Sequence, residues 1–280
     1  MRLEGRAIIV TGAGGGIGRS IATRLASEGA ALALFDLTDA VEETAALAAE
    51  AGAGARVIAS RVDVADPAQV NDAVGAAAAR LGGIDGLVNN AGITANVAPI
   101  TRMADEAWAR ELAVNLTGPF NLIRAVLPGM VERRWGRIVN ISSVAARGGL
   151  YRQSGYSASK SGLLGLTRNV VLEYAEHGIT CNAVLPGLIE TPTVAGMPAV
   201  IKDFALGMTP ARRPGRTEEI AAVVAFLCSE ESAYVNGAEI DVDGGGRLCP
   251  MVLGSVKEVE ARRAYRSEAG VPATQPGGSR

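Results

Sequence analysis

The sequence predicts an α/β fold in a single domain: a mainly parallel, doubly wound sheet of seven strands with helices on both faces. Short apolar runs alternate with stretches of helical periodicity through residues 1–246, and a glycine-rich loop joins the first strand to the first helix. Gly and Ala are abundant, whereas aromatic residues make up only 4% of the 280 residues. Alternating strands and helices favour a parallel sheet, and small residues allow helices to pack closely against it.

The first strand and the first helix enclose the glycine-rich loop. An apolar run at residues 6–11 stops at Gly12-Ala13-Gly14-Gly15-Gly16-Ile17-Gly18, and a helical pattern then continues to Gly29. Glycines let the backbone pass close to a pyrophosphate, and the N–H groups at the positive end of the new helix stabilise its charge. The loop therefore predicts a dinucleotide site formed by Gly12, Gly15, Gly16, Ile17 and Gly18.

An acidic residue ends the second predicted strand, residues 31–35. Asp36 can accept hydrogen bonds from the ribose hydroxyls of adenosine, and its charge would repel a 2′-phosphate. Its neighbour Leu37 and the loop residue Gly15 are uncharged, so no basic residue at these positions attracts that phosphate. The sequence therefore favours NAD over NADP. The alternative is an ordinary carboxylate at a strand end that caps the next helix.

Five further strands and five helices complete the predicted domain. The strands are residues 55–62, 84–88, 137–141, 179–185 and 239–242, and the helices are residues 40–51, 66–81, 105–131, 154–177 and 217–229. Asp66-Pro67 marks a helix start because proline suits the first turn. The stretch of about 190–213, which is rich in proline and glycine, predicts a mobile lid over a substrate pocket.

A tyrosine and a lysine four residues apart are the strongest chemical signal. Tyr156 and Lys160 share one face of the predicted helix 154–177. A phenol is a poor base because its pKa is about 10, and a nearby ammonium should lower that pKa. Ser143, at the end of the fifth strand, can hydrogen-bond the same substrate oxygen. The three side chains predict a site that moves a proton on and off a hydroxyl or carbonyl group.

Together these motifs resemble the short-chain dehydrogenase/reductase family. The residues that carry the resemblance are T-G-x-x-x-G-I-G at residues 11–18, Tyr156-x-x-x-Lys160, and Ser143 before them, and the likeness covers residues 5–246. It implies a Rossmann-type fold and reversible hydride transfer between NAD and a secondary alcohol. Ser143, Tyr156 and Lys160 would form its proton relay. Two alternatives stay open: an NADPH-dependent reductase of 3-oxoacyl thioesters, and a dinucleotide-sensing protein without turnover.

The resemblance also implies roles for residues outside the relay. Asn115, inside the helix 105–131, would open that helix slightly and link Lys160 to solvent through water. Besides the glycine loop, Asp36, Tyr156 and Lys160, the implied cofactor contacts are Asp63 and Val64 at the adenine, Asn89, Ala91 and Gly92 in the groove, and Pro186, Gly187, Ile189 and Thr191 at the nicotinamide.

Composition excludes several other classes of protein. A net charge of −2 gives no electrostatic footprint for nucleic acid, and no apolar run approaches the ~18 residues of a membrane span. Charged residues interrupt the N-terminus before a signal peptide could form. The three cysteines follow no pattern, which favours reduced thiols in a cytoplasm. No cluster of metal ligands is visible, and the expected chemistry needs none.

Substrate and partners are the least specified features. The residues that should border the pocket with the lid are Ala145, Leu150, Tyr151, Gln153 and Gly187, which indicates a mainly apolar alcohol or ketone. The resemblance implies a homotetramer or homodimer paired through the helices 105–131 and 154–177. Residues 247–280 form a C-terminal extension beyond the usual family length, with a possible short helix at 255–266 and a flexible remainder.

Overall fold

Seven parallel strands form a single sheet in the computed structural model, which describes residues 1–52, 55–248 and 264. The strands are β1 (Ala7–Thr11), β2 (Ala31–Asp36), β3 (Val57–Arg61), β4 (Gly86–Asn89), β5 (Gly136–Ile141), β6 (Ile179–Pro186) and β7 (Glu239–Val242). Their order across the sheet is β3-β2-β1-β4-β5-β6-β7. The chain therefore winds outward from β1 to one edge and then from β4 to the other.

Helices cover both faces of this sheet. They are α1 (Gly16–Ser27), α2 (Ala40–Ala51), α3 (Pro67–Leu81), α4 (Asp105–Leu112), α5 (Gly118–Arg133), α6 (Ala145–Gly148), α7 (Ser154–Tyr174), α8 (Pro192–Ala195), α9 (Ala199–Met208) and α10 (Thr217–Leu227). The predicted doubly wound α/β fold is confirmed. Asp66 accepts hydrogen bonds from the N–H groups of Ala68 and Gln69 and so caps α3, as the Asp-Pro pair predicts.

Alternate residues of each strand enter two separate cores. Ile8 and Val10 of β1 pack with α1, α2 and α10 on one face, whereas Ala7 and Ile9 pack with α3, α5 and α7 on the other. Successive side chains of a strand point to opposite faces, so a strand covered on both sides must be apolar throughout. This requirement explains the continuous apolar runs of the sequence.

The helix predicted over residues 105–131 is interrupted. A π-helical segment, Ala113–Thr117, separates α4 from α5 and carries the buried side chain of Asn115. A π-helical turn spans five residues rather than four, which widens the helix and releases backbone groups, and such turns occur often at functional sites. The structure thus contains the opening of the helix that the family resemblance implies at Asn115.

The edge of the sheet where the strands end holds the features that concern function. The winding direction reverses between β1 and β4, and ligands of open α/β sheets bind in the crevice at such a point. The lid predicted at about 190–213 contains α8 and α9. Within the described ranges, none of the helices has the length and apolar character that a bilayer crossing requires. Of the predicted helix at 255–266, only Ala264 belongs to the described residues.

Candidate active site

A cleft of about 490 Å³ opens at the carboxyl ends of the strands. Ser143, which follows β5, lines it together with Tyr156 and Lys160 from α7. The structure therefore brings the three predicted chemical groups into one cavity. Six residues predicted as cofactor contacts also line this cleft: Ile17, Gly92, Pro186, Gly187, Ile189 and Thr191.

The Tyr156 phenol is hydrogen-bonded to the side chain of Ser143. Ser143 Oγ also accepts a hydrogen bond of 3.1 Å from the N–H of Ala145, which fixes the hydroxyl at the start of α6. Burial raises the pKa of Tyr156 above its ordinary value, the hydrogen bond with Ser143 lowers it, and the charge of Glu111 raises it. The net shift is upward, so the tyrosine is a protonated acid at neutral pH.

Lys160 is buried beside the tyrosine. Its Nζ donates a 2.8 Å hydrogen bond to the carbonyl oxygen of Ile141 and lies 5.8 Å from the centroid of the Tyr156 ring. Burial lowers the pKa of this ammonium from 10.5 to about 8. The net lowering of the Tyr156 pKa expected from its lysine neighbour is not found in this structure, because desolvation of the phenol is the largest effect and raises the pKa.

Asn115 lies next to this lysine across Gly92. A Cβ built on Gly92 would lie 3.2 Å from Lys160 Nζ and 3.4 Å from Asn115 Oδ1, so both polar atoms border one glycine. The amide of Asn115 accepts from the N–H of Ile93 and donates to the carbonyl of Ile93, each at 2.8 Å. Asn115 therefore anchors the segment after β4 close to the lysine.

The glycine loop leaves a cradle that fits a dinucleotide. A Cβ on Gly18 would lie 2.0 Å from the carbonyl oxygen of Gly12, and a Cβ on Gly12, whose φ is +63°, would lie 2.7 Å from Ala91 Cα. Only glycine permits these approaches. Gly15 is the N-cap residue of α1, and a Cβ there would meet nothing within 4 Å. This open side, next to unpaired N–H groups at the helix start, suits a pyrophosphate.

Asp36 faces the same loop from the end of β2. Its Oδ2 accepts a 2.9 Å hydrogen bond from the N–H of Gly14, and its Oδ1 accepts from the N–H and hydroxyl of Thr38 at 2.9 and 2.8 Å. A carboxylate accepts about four hydrogen bonds, so capacity remains for a ribose hydroxyl. Asp36 therefore places a carboxylate against the glycine loop, on the side where the sequence predicts the adenosine ribose.

The adenine end, as the resemblance implies it, is formed by the segment after β3. Val64 is buried in the core, and Asp63 Oδ1 accepts a 2.9 Å hydrogen bond from the N–H of Ala65. Asp63 Oδ2 also accepts a 3.1 Å hydrogen bond from Arg110 of α4. Any adenine contact of Asp63 thus shares this carboxylate with an arginine.

The two asparagines at the end of β4 have different environments. Asn89 is buried, and its amide donates a 2.8 Å hydrogen bond to Asn140 Oδ1 on the neighbouring strand β5. Asn90 borders the cleft, and its amide donates to the carbonyls of Thr11 and Gly12. The structure therefore places Asn90 at the cleft, rather than the predicted Asn89, whose buried side chain ties two strands together.

Thr191 closes the cleft from the opposite side. A Cβ built on Gly16 would lie 3.5 Å from Thr191 Cγ2. The Thr191 hydroxyl accepts a 3.3 Å hydrogen bond from the N–H of Val194, so Thr191 caps α8. Ile189 is buried beside it. The predicted nicotinamide contacts thus stand directly across from the glycine loop.

Several lining residues escaped prediction, namely Asn90, Ile93, Thr94, Ser142 and Leu188. Ser142 is buried, and its hydroxyl donates to the carbonyl of Lys160 at 2.9 Å, which joins the end of β5 to α7. The signal for four of these residues was their position next to a predicted residue, whereas Thr94 lies two residues beyond Gly92. Within the described ranges, no group of three or more His, Cys, Asp or Glu side chains could hold a metal ion.

A cradle for a dinucleotide beside a Ser-Tyr-Lys cluster defines a nicotinamide-dependent oxidoreductase. The family profile described as enoyl-(acyl carrier protein) reductase matches residues 12–246. The chain belongs to the short-chain dehydrogenase/reductase family.

Characterised relatives cover most of the chain. It is 40% identical over 253 residues to levodione reductase of Leifsonia aquatica. The aligned region covers 87% of this chain and 95% of the reductase. It is also 42% identical over 246 residues to 3-oxoacyl-[acyl-carrier-protein] reductase FabG of Thermotoga maritima. This alignment covers 88% of the present chain and 99% of FabG. The crystal structure of NAD⁺-bound xylitol dehydrogenase superimposes with a TM-score of 0.84 at 33% identity, covering 88% of this chain and all of that one.

Proposed function

We propose that this protein is an NAD-dependent oxidoreductase that interconverts a secondary alcohol and a ketone. The observation that carries the proposal is the convergence of Ser143, Tyr156 and Lys160 on a cleft that continues into the glycine loop. A hydroxyl, a phenol and a buried ammonium beside a dinucleotide cradle are the groups that proton-coupled hydride transfer requires.

Proton movement in the proposed reaction follows from the hydrogen bonds of the site. In ketone reduction, the protonated Tyr156 donates its proton to the carbonyl oxygen, and Ser143 holds that oxygen by a hydrogen bond. In alcohol oxidation, the phenolate accepts the hydroxyl proton. The ammonium of Lys160 stabilises the phenolate that reduction leaves behind, because its positive charge lies 5.8 Å from the centroid of the phenol ring and favours the anion.

The dinucleotide would be held by the glycine loop, Asp36, Asn90 and the segment from Ile189 to Thr191. When bound, its nicotinamide ring supplies the hydride acceptor or donor. Asn115 would hold the water that connects Lys160 with solvent, so that the proton taken up by the tyrosine leaves the site. The anchoring of this amide beside the lysine across Gly92 supports that role.

The walls of the cleft favour a mainly apolar substrate. Ile93, Leu188 and Val194 line it with few charged groups besides Lys160. Arg147 forms ion pairs with Glu239 and Asp241 of β7, which keeps its guanidinium from meeting a substrate carboxylate. Initial rates with cyclic, aromatic, steroidal and acyl-thioester alcohols, each with NAD and NADP, test the proposal. Absence of turnover with every alcohol and ketone would refute it.

A second candidate is an NADPH-dependent reductase of 3-oxoacyl thioesters. The observation in its favour is the 42% identity to 3-oxoacyl-[acyl-carrier-protein] reductase FabG. Asp36 opposes it, because a carboxylate at the adenosine ribose repels a 2′-phosphate. Rates with a 3-oxoacyl thioester and NADPH that exceed those of all alcohols with NAD would establish this alternative.

Replacing Asp36 with alanine should lower the ratio of kcat/KM for NAD to that for NADP by about tenfold or more. The variant loses a charged acceptor for the ribose hydroxyls and also loses the repulsion of a 2′-phosphate. Steady-state rates with both cofactors measure the ratio. Asp39→Ala is the matched control, because Asp39 is an exposed acid three residues away that pairs with Arg61 at 3.5 Å. An equal ratio in both variants would contradict the assignment.

We propose a homodimer or homotetramer that pairs through α5 and α7. A groove of about 470 Å³ lies between these helices, and Leu172 of α7 is 83% exposed. Leu172→Glu should therefore yield a smaller species in sedimentation velocity, because a carboxylate cannot be buried unpaired in an interface. Leu47→Glu on α2 is the control and should not change assembly. Equal assembly of the two variants would place the interface elsewhere.

We also propose that the protein works in a reducing compartment such as the cytoplasm. Cys181 and Cys228 are free thiols in the core, and burial raises the pKa of each to about 12. Thiols of this kind are unreactive, because the thiolate is the nucleophilic form. Such buried cysteines suit a compartment in which disulfides are rare.

A further inference from the structure

Glu111 of α4 is a fully buried carboxylate close to the catalytic helix. Its Oε1 accepts hydrogen bonds from the N–H groups of Ala95 and Asn96, at 2.6 and 3.3 Å. Its Oε2 is buried and has no hydrogen-bond partner within the described residues. A Cβ built on Gly155, the second residue of α7, would lie 2.2 Å from this Oε2. The carboxylate is therefore pressed against the residue that precedes Tyr156.

We propose that Glu111 is a positioning residue for Tyr156: it ties the loop 93–96 to the start of α7 and sets a negative charge beside the tyrosine. The inference rests on the proposed function, since it assigns the group that controls the proton donor of that reaction. Glu111 touches no reacting atom, and it acts through the loop and through the electrostatic field at the phenol.

The first part of this role is mechanical. Ile93 and Thr94 line the cleft, and the loop that carries them is held at two points. Asn115 binds the backbone of Ile93, and Glu111, four residues earlier and thus on the same helical face, binds the next part of the loop. Loss of the Glu111 acceptor should free the loop and weaken substrate binding.

The second part is electrostatic. The Glu111 charge raises the pKa of Tyr156, in addition to burial and against the Ser143 hydrogen bond. From the other elements around the phenol, α7 contributes Lys160, and the segment after β5 contributes the Ser143 hydroxyl. Within the described residues, Glu111 forms no ion pair with a lysine or arginine, and its neighbour Arg110 pairs with Asp63 instead. Its charge therefore acts on the phenol without a neutralising partner, which favours the protonated acid.

Two variants separate the mechanical role from the electrostatic one. Glu111→Gln keeps an oxygen for the loop N–H groups but removes the charge. The rate of alcohol oxidation rises with pH as the phenol ionises, and this rise should move to lower pH in the variant. At pH values below the midpoint of the rise, the variant should be several-fold faster, with nearly unchanged KM. Glu111→Ala removes charge and acceptor together, so KM should also rise several-fold. Glu106→Gln, an exposed carboxylate on the same helix, is the control and should reproduce the unmodified profile.

A measurement without turnover keeps this inference separate from the proposed function. The Tyr156 phenol is titrated through the Cζ chemical shift of isotopically labelled tyrosine, assigned by its loss in Tyr156→Phe. A lower titration midpoint in Glu111→Gln than in Glu106→Gln supports the role even if no substrate is known. Equal midpoints overturn it, whatever the activity. Absence of turnover with a shifted midpoint overturns the proposed function alone.

Gly155→Ala tests the contact by an independent route. The new methyl group cannot coexist with the present position of the Glu111 carboxylate, although the backbone of Gly155 otherwise accepts alanine. The substitution should lower the denaturant midpoint in the unmodified protein but not in Glu111→Ala, where the obstructing atoms are gone. An equal effect in the two backgrounds overturns the proposed contact.

Discussion

Replacing Tyr156 with phenylalanine is expected to lower turnover about a hundred- to ten-thousand-fold, with fold and NAD affinity almost unchanged. The substitution removes one oxygen atom, and that atom is the proposed proton donor and acceptor. The aromatic ring stays and keeps its place 5.8 Å from the Lys160 ammonium. Ser143 loses a hydrogen bond but keeps the one from the N–H of Ala145.

Single-turnover rates and NAD titration are the measurements that check this expectation. Single-turnover rates report the chemical step, whereas binding of NAD followed by fluorescence reports the cradle. Tyr234→Phe is the matched control, because Tyr234 is an exposed tyrosine that does not line the cleft, so this variant should keep turnover. Full turnover in Tyr156→Phe would remove the tyrosine from the mechanism, and loss of NAD binding would make its role structural.

Much of the fold could be predicted because its signals are local. A strand covered on both faces must be apolar, as β1 is, and a proline after Asp66 marks a helix start. The spacing of Tyr156 and Lys160 likewise depends only on helical geometry, so the proposed catalytic pair could be identified from the sequence. These features need no knowledge of what lies across the domain.

Other features depend on tertiary packing and left no local signal. Asn89 and Asn90 are identical neighbours, and only the end of β4 decides which amide enters the core. Glu111 follows an arginine on an amphipathic helix and reads as a solvated charge, yet it is fully buried. The pKa of Tyr156 was predicted from its lysine neighbour, whereas desolvation by the surrounding protein determines its direction.

Replacing Lys160 with methionine is expected to stabilise the fold by about 1–2 kcal/mol at neutral pH and to lower turnover about a hundredfold. Burial lowers the pKa of this lysine from 10.5 to about 8, which corresponds to a cost on the order of 3 kcal/mol for the charged form. Methionine fills a similar volume without charge. The carbonyl of Ile141 loses its donor, which offsets part of the gain.

The pH dependence of stability has a definite sign. Between about pH 8 and 10.5 the unfolded chain holds the lysine proton more firmly than the folded protein does, so stability contributed by this group rises with pH. Lys160→Met should lack that rise, and its advantage should shrink as pH increases. Denaturant unfolding at neutral pH and near pH 10, at one protein concentration, measures both effects.

Lys202→Met serves as the control for loss of a lysine at a more exposed position. Lys202 lies 3.9 Å from Glu190, and its side chain is 28% exposed, so its removal should leave the stability at neutral pH nearly unchanged. A Lys160→Met protein that is less stable than its parent at neutral pH would mean that the hydrogen bond to Ile141 outweighs desolvation. The buried ammonium would then stabilise the fold. The expectation argued above is the opposite, namely that it destabilises the fold and is retained for catalysis.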